Sequence, residues 1–233
     1  MGDSRKFLVL SDIHGDVAAL DRLDAAFADA DAVLFGGDFA QFAHAETALP
    51  VLKKLCAKHE VIFAVLGNCD EPAFLARLED ADISVQGGIA WHDGLAFAGS
   101  GGGSRFTGTT PFERDDEALA GDFSVVTDAP EGADADGHWN NLLLIMHNPP
   151  KDTACDLLPN GAHVGSASLR AFIERIAPLA VVTGHIHESA GIDHIGPTTV
   201  INPGSLAEGK YGWLECEKNA DGWHVTKAEL RTL

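Results

Sequence analysis

Five short apolar runs, rich in Val, Leu and Ile, each break off in a polar residue of the kind that binds metals. They are Phe7–Leu10 before Ser11-Asp12-Ile13-His14, Ala32–Phe35 before Gly36-Gly37-Asp38, and Val61–Leu66 before Gly67-Asn68-Cys69-Asp70. Leu142–Met146 precedes His147-Asn148, and Leu179–Val182 precedes Thr183-Gly184-His185-Ile186-His187. Runs this short, bounded by Gly and polar residues, predict buried strands. Strands apolar on both faces belong to sheets covered on both sides.

Helical periodicity fills the gaps. Asp16–Asp29 carries Leu20, Leu23 and Phe27; Ala45–Lys58 carries Leu49, Leu52 and Leu55; Ser166–Ile176 carries Leu169, Phe172, Ile173 and Ile176, with Pro178 as its stop. Alternating strands and helices predict an α/β fold with right-handed crossovers. In such folds sites form beyond the carboxyl ends of the strands, where all five polar clusters fall. Two hairpins are predicted, Ile89–Gly99 turning at His92-Asp93-Gly94 and Tyr211–Ala228 turning at Asn219–Gly222. Coming late, they suggest a second, mixed sheet packed on the first. The Gly-rich and acidic stretch from Gly101 to Gly137 reads as a long loop, functional or disordered. No linker divides the chain, so residues 1–233 are expected to form one domain.

Composition narrows the classes. The 233 residues are 45% hydrophobic and 22% charged, enough to build a large core. The net charge of −19 repels nucleic-acid phosphates, and no Lys/Arg cluster offsets it. No nucleic-acid partner and no membrane partner is expected. Bound divalent metals reverse such a field locally, which leaves a small phosphorylated substrate open. The apolar run after Met1–Lys6 is too short for an export signal. Cys56, Cys69, Cys155 and Cys216 form no CxxC pair and read as the reduced thiols of a cytoplasmic protein. Self-association is left open.

Asp12-x-His14 and His185-x-His187 each set two ligand types at i and i+2, which point the same way on extended backbone. Asp38 offers two oxygens suited to bridging, Asn68 a neutral carbonyl oxygen, and His147 another imidazole. Seven candidate ligands exceed the needs of one ion. They match a pair of cations about 3.5–4 Å apart, holding a bridging hydroxide and clamping the attacking and leaving oxygens. The donor set admits Mn²⁺, Fe, Zn²⁺ or Ni²⁺, with Mn²⁺ favoured.

The ordered set Asp12-x-His14, Gly37-Asp38, Gly67-Asn68-Cys69-Asp70, His147 and Gly184-His185-x-His187 resembles the calcineurin-like metallophosphoesterases. Asn202-Pro203-Gly204-Ser205 is similar to their tail motif. The resemblance spans about Leu8 to Ser205. It implies a four-layer sandwich of two mixed β-sheets flanked by helices. It also implies Asp12, His14, Asp38 and His187 on one metal and Asp38, Asn68, His147 and His185 on the other. The implied activity is phosphoester hydrolysis, diester before monoester, with Asp38, Asn68, Cys69 and His147 at the reaction. Two positions depart from the pattern. Cys69 stands where many members carry the His that protonates the leaving group, and Gln41 replaces a second Asp. A thiol is a poor substitute for imidazolium as an acid, so substrates with good leaving groups are expected. The Gly-Asn-Cys-Asp form resembles a branch associated with phosphodiesterase activity. Arg105, in the Gly99–Glu113 segment, is a candidate phosphate contact.

Plainer readings compete at each position. A lone His is more often structural, and His44, His59, His92, His138, His163, His194 and His224 are read so. Asp12 and Asp38 could cap turns, Asn68 could occupy a positive-φ turn, Cys69 could fill space, and Arg105 could be a solvated charge. The competing function is a non-catalytic or weakly active metal-binding scaffold on the same fold. A nuclease is disfavoured by the charge.

Overall fold

A computed structural model describes residues 3–129 and 132–233. Residues 1 and 2, part of the N-terminal segment read above for an export signal, lie outside the described residues, as do 130 and 131 of the acidic stretch. In chain order the strands β1 (Ser4–Leu10), β2 (Ala32–Phe35) and β3 (Ile62–Ala64) alternate with helices α1 (Val17–Asp21), α2 (Asp24–Asp29) and α3 (Ala48–Lys58). Then follow α4 (Leu75–Asp80), β4 (Ile89–His92), β5 (Leu95–Ser100), and the short strands β6 (Gly103–Ser104) and β7 (Glu113–Arg114). Helices α5 (Asp116–Gly121) and α6 (Ser124–Thr127) lead to β8 (Leu142–Met146), α7 (Ala167–Ile176) and β9 (Ala180–Val182). Strands β10 (Gly191–Ile195), β11 (Thr198–Asn202), β12 (Lys210–Asn219) and β13 (Gly222–Thr232) complete the chain.

Two mixed sheets result, in the orders β13-β12-β1-β2-β3 and β10-β11-β9-β8-β5-β4. Period-2 alternation assigns their faces. In the first sheet Leu8, Leu10, Val33 and Phe35 pack against Leu20, Phe27, Val51, Leu55 and Leu78 of α1 to α4. Phe7, Val9, Leu34 and Phe63 turn the other way, to Phe97, Leu143, Ile145 and Val182 of the second sheet. There the Phe63 and Phe97 rings stack with centroids 3.8 Å apart; truncating such a residue to Ala costs about 3–5 kcal/mol. Leu142, Leu144, Met146 and Val181 face Leu119 of α5, Phe123 at the start of α6, and Leu169 and Ile173 of α7. The order helix, sheet, sheet, helix is the expected sandwich. Among the described residues no helix is long and apolar enough to cross a membrane, and Cys56, Cys69, Cys155 and Cys216 are free thiols.

Four local expectations are corrected. The helix predicted over Asp16–Asp29 is two, because Arg22 and Leu23 donate to Ala19 and Leu20 in tight i→i−3 bonds, while Leu20, Leu23 and Phe27 stay buried. Leu49 is 38% exposed, and α3 buries Ala48, Val51, Leu52 and Leu55 instead. Residues Ala45–Thr47 form a 3₁₀ turn, since Pro50 in the first turn of α3 opposes an α-helical carbonyl at Glu46. The C-terminal hairpin belongs to the first sheet: β12 pairs antiparallel with β1 from Ser4↔Glu217 to Val9↔Gly212. Paired with β13 on its other edge, β12 is an interior strand, with Trp213 facing the helices and Leu214 the other sheet.

Candidate metal centre

The carboxyl ends of β1, β2, β3, β8 and β9 converge at one edge of the sandwich, and the loops leaving them interlock. Asp12 N–H donates to Gly37 C=O at 2.9 Å, His14 N–H to Asp38 C=O at 3.1 Å, and Gly184 N–H to His147 C=O at 3.1 Å. Strand alternation does not create the i, i+2 pairs. Asp12 (φ 54°), His14 (46°), Asp38 (60°) and His185 (69°) all hold left-handed backbone, which costs roughly 1–3 kcal/mol each and persists where the surroundings enforce it.

The side chains named from the sequence meet here. Asp12, Asp38, Asn68 and His147 are buried, at 0%, 2%, 7% and 0% exposure. Asp12 Oδ1 lies 3.2 Å from His187 Nε2 and 3.9 Å from His14 Nε2. Asp38 Oδ2 lies 3.7 Å from His14 Nε2 and 3.6 Å from His147 Nε2, so one oxygen faces imidazoles from both sheets. The His185 ring sits 5.1 Å from that of His147. Arg105 is apart from this cluster, exposed on a loop, with its guanidinium forked onto Asp115, Nη2 to Oδ2 at 3.2 Å.

The donor set suits cations. His147 Nδ1 is 2.8 Å from Gly36 C=O, which can only accept, so Nδ1 carries the proton and Nε2 presents a lone pair. That lone pair faces another acceptor, Asn68 Oδ1, at 2.8 Å. Buried lone pairs aimed at each other without a proton between them are what a cation complements. Three-donor groups within coordination reach include Asp12, His14 and His187, and Asp12, Asp38 and His147.

Protonation in the metal-free protein reflects the crowding. Burial, then the charge of Asp12, pushes Asp38 up to about 7. Burial opposes ionisation of Asp12, yet the His187 hydrogen bond and the surrounding imidazoles hold it well below the usual carboxylate range. Burial also opposes the charge on His187, and Asp12 overrides it, raising His187 to about 9. Burial and neighbouring His147 bring His185 down to about 3. The Cys69 thiol is driven far above its ordinary range by burial and then by Asp38.

Sequence reasoning gave no role to Asp70, which proves to be the knot of the site. It is fully buried and accepts from Phe39 N–H at 3.2 Å, Ala40 N–H at 2.8 Å and Gly67 N–H at 2.8 Å, tying the loops after β2 and β3 together. Its place in Gly67-Asn68-Cys69-Asp70 was the available signal. Ser205 Oγ donates to Asp12 C=O at 2.7 Å and Asn202 Nδ2 to Ile186 C=O at 3.0 Å, so the tail motif braces the ligand loops. Gly67 is required by close approach, because a Cβ there would stand 1.9 Å from Asp38 Oδ1. Gly67→Ala is expected to weaken Mn²⁺ binding at least about tenfold by displacing that carboxylate. Gly88→Ala, with nothing within 4 Å, serves as the control. Titration calorimetry checks both, and equal affinities would contradict the packing argument.

The family model for calcineurin-like phosphoesterases matches residues 5–189. An uncharacterized protein of Methanocaldococcus jannaschii is 30% identical over 202 residues, covering 85% of this chain and 87% of its own length. Among solved structures, TT1561 of Thermus thermophilus superposes with a TM-score of 0.73 at 19% identity, covering 99% of both chains. A dimetal phosphatase from Danio rerio does so with a TM-score of 0.62 at 12% identity over 98% of both. At these identities the structural likenesses speak for the fold.

Proposed function

Because the chain belongs to the calcineurin-like phosphoesterase family, we propose that it hydrolyses small phosphodiesters, and monoesters less well, with two divalent cations, Mn²⁺ favoured. It does so as one domain in a cytoplasmic setting. The observation that carries this reading is Asp38 Oδ2, equidistant from His14 Nε2 (3.7 Å) and His147 Nε2 (3.6 Å). Asp12, His14, Asp38 and His187 would hold one cation, and Asp38, Asn68, His147 and His185 the other. When bound, such a pair supplies a hydrolytic nucleophile at neutral pH and positive charge against the phosphoryl oxygens.

The chain's own residues then set the selectivity. Asp70 fixes the loops on which Asp38 and Asn68 ride. Asn68, at the mouth of a cavity of about 410 Å³, orients the ester. Arg105, on the rim of the same cavity, reaches a phosphoryl oxygen by exchanging Asp115 for it. Cys69 stands at the leaving-group position with its thiol held protonated, so it donates no proton and esters of acidic alcohols are favoured.

Purified protein with Mn²⁺ is expected to hydrolyse bis-p-nitrophenyl phosphate faster than p-nitrophenyl phosphate. Failure to hydrolyse either, across Mn²⁺, Fe²⁺, Zn²⁺ and Ni²⁺, would remove the reading in favour of a metal-binding scaffold. Cys69→His installs an acid at that position and is expected to raise the monoester-to-diester rate ratio by at least about tenfold. An unchanged ratio would separate Cys69 from the leaving group.

A further inference from the structure

The cavity beside Asn68 and His185 has a chemistry of its own. Its apolar walls are Phe106, Leu158, Val164 and Ile186. Phe106 is 92% exposed, the most exposed of the large apolar side chains among the described residues. Solitary exposed apolar residues are common, but the backbone that carries this one is held in place. Glu113 accepts from Phe106 N–H at 2.8 Å, from Gly108 N–H at 2.9 Å and from Thr110 Oγ1 at 3.2 Å, stapling the turn that presents the ring. Those contacts bring the Glu113 carboxyl down to about 2. The ring is therefore offered to the cavity by an ordered loop at no packing benefit to the fold.

Part of the polar lining of the cavity is already engaged. Asn148 accepts from Ser104 N–H at 2.9 Å and donates to Pro149 C=O at 3.2 Å. Arg105, paired with Asp115, is the one cation on the rim among the described residues and serves the phosphoryl group itself. The remaining charges are Glu113 and Glu188, which repel a second anionic group. A volume of about 410 Å³ falls in the range of small-molecule sites. A separate cleft is lined by His44, Cys69, Glu71 and Thr109, so that Asn68 lines one cleft and its neighbour Cys69 the other. A tetrahedral phosphorus seated there thus has two exits of unlike character, one apolar and one polar.

We propose that the apolar cleft receives an uncharged, planar aromatic arm of the phosphoester, stacked on Phe106. This rests on the phosphoester reading above and adds the class of substrate to it. Anionic arms such as polyphosphates are excluded by Glu113 and Glu188, and short alkyl arms leave the ring uncovered.

The test compares phenylphosphonate with methylphosphonate on Mn²⁺-loaded protein by calorimetry, beside turnover of bis-p-nitrophenyl phosphate. Both carry the same head group and neither is hydrolysed. Wild-type protein is expected to bind phenylphosphonate at least about tenfold more tightly, the size of one aromatic stack. Phe106→Ala is expected to bring the ratio to about two or below, and Phe106→Trp to keep it. The 92% exposure of Phe106 means that neither substitution threatens the fold. A ratio near one in the wild type, or one unchanged by Phe106→Ala, would overturn the proposal. Diester turnover with neither phosphonate bound removes the aromatic arm and leaves the phosphoester reading standing. Loss of turnover and binding together removes both.

Discussion

Asp38→Asn is expected to lower kcat/KM for bis-p-nitrophenyl phosphate by about 10³-fold or more, and to cut bound Mn²⁺ from about two ions per chain to one or fewer. The substitution is nearly isosteric. Cys69 N–H, which donates to Asp38 Oδ1 at 2.8 Å, keeps an acceptor if the amide oxygen takes that place. What disappears is the negative charge at Oδ2, the atom facing His14 and His147. An effect of this size therefore reports the shared carboxylate rather than a collapsed loop. The metal-free variant supplies the control. Burial and Asp12 push Asp38 up to about 7, so above that pH the native state of the wild type bears a buried charge that Asn lacks. Metal-free Asp38→Asn is then expected to melt higher than metal-free wild type at pH 8, although it is inactive. Wild-type turnover with unchanged metal content would show that the position does not bridge. A variant that melts lower would show that the carboxylate supports the fold instead.

That Asp12, His14, Asp38, Asn68, His147, His185 and His187 would cluster was legible in the sequence, whereas the way the backbone presents them was not. Leu142–Met146 and Ala32–Phe35 match their observed bounds. Phe7–Leu10, Val61–Leu66 and Leu179–Val182 differ from the observed Ser4–Leu10, Ile62–Ala64 and Ala180–Val182, because an apolar run marks burial and the ladder partners set where pairing ends. The first two runs carry the same pattern yet lie in different sheets. Pairing partners, not hydrophobicity, decide that, which is also why the C-terminal hairpin was given to the wrong sheet. The i, i+2 spacing of Asp12 and His14 predicted shared coordination on extended backbone. Their φ values of 54° and 46° show the same convergence reached through turns, a geometry that Asp and His tolerate without announcing it. Asp70 was hidden for a related reason: a carboxylate that accepts only backbone N–H groups leaves no partner side chain to be found in the sequence. Phe106 lay in a loop read for its glycines and its arginine, where a solitary aromatic carries no periodic signal.

Metal and pH should act on stability through the same groups. Asp38 and Asp70 titrate near 7 in the folded protein against an ordinary 3.8, each held up by burial first, and His187 near 9 against 6.5. All three bind their protons more tightly when folded. Each therefore contributes stability that is complete below its unfolded value and is lost as pH rises through its folded value. For the carboxyls the loss runs from about pH 4 to 7, and for His187 from about 6.5 to 9. His147 and His185 are shifted down by burial, so their contribution grows as pH rises and is complete by about 6.5. Above that pH nothing from these histidines offsets the loss from His187 and the remaining fraction of the two carboxyls. The Tm of chelated protein is accordingly expected to fall between pH 6.5 and 8.5. A cation binds the deprotonated forms of Asp38 and His187, so it replaces the protons lost there, while the loss at Asp70 is common to both samples. At a hundredfold excess over Kd it adds about 2.7 kcal/mol, which is roughly 5–10 °C in a chain of this size. The difference between Mn²⁺-loaded and chelated Tm should thus widen across that interval. General repulsion from the net charge of −19 is common to both samples and cancels in the difference. A gap that stays constant with pH would mean that the protons leaving Asp38 and His187 are not the ones the metal displaces.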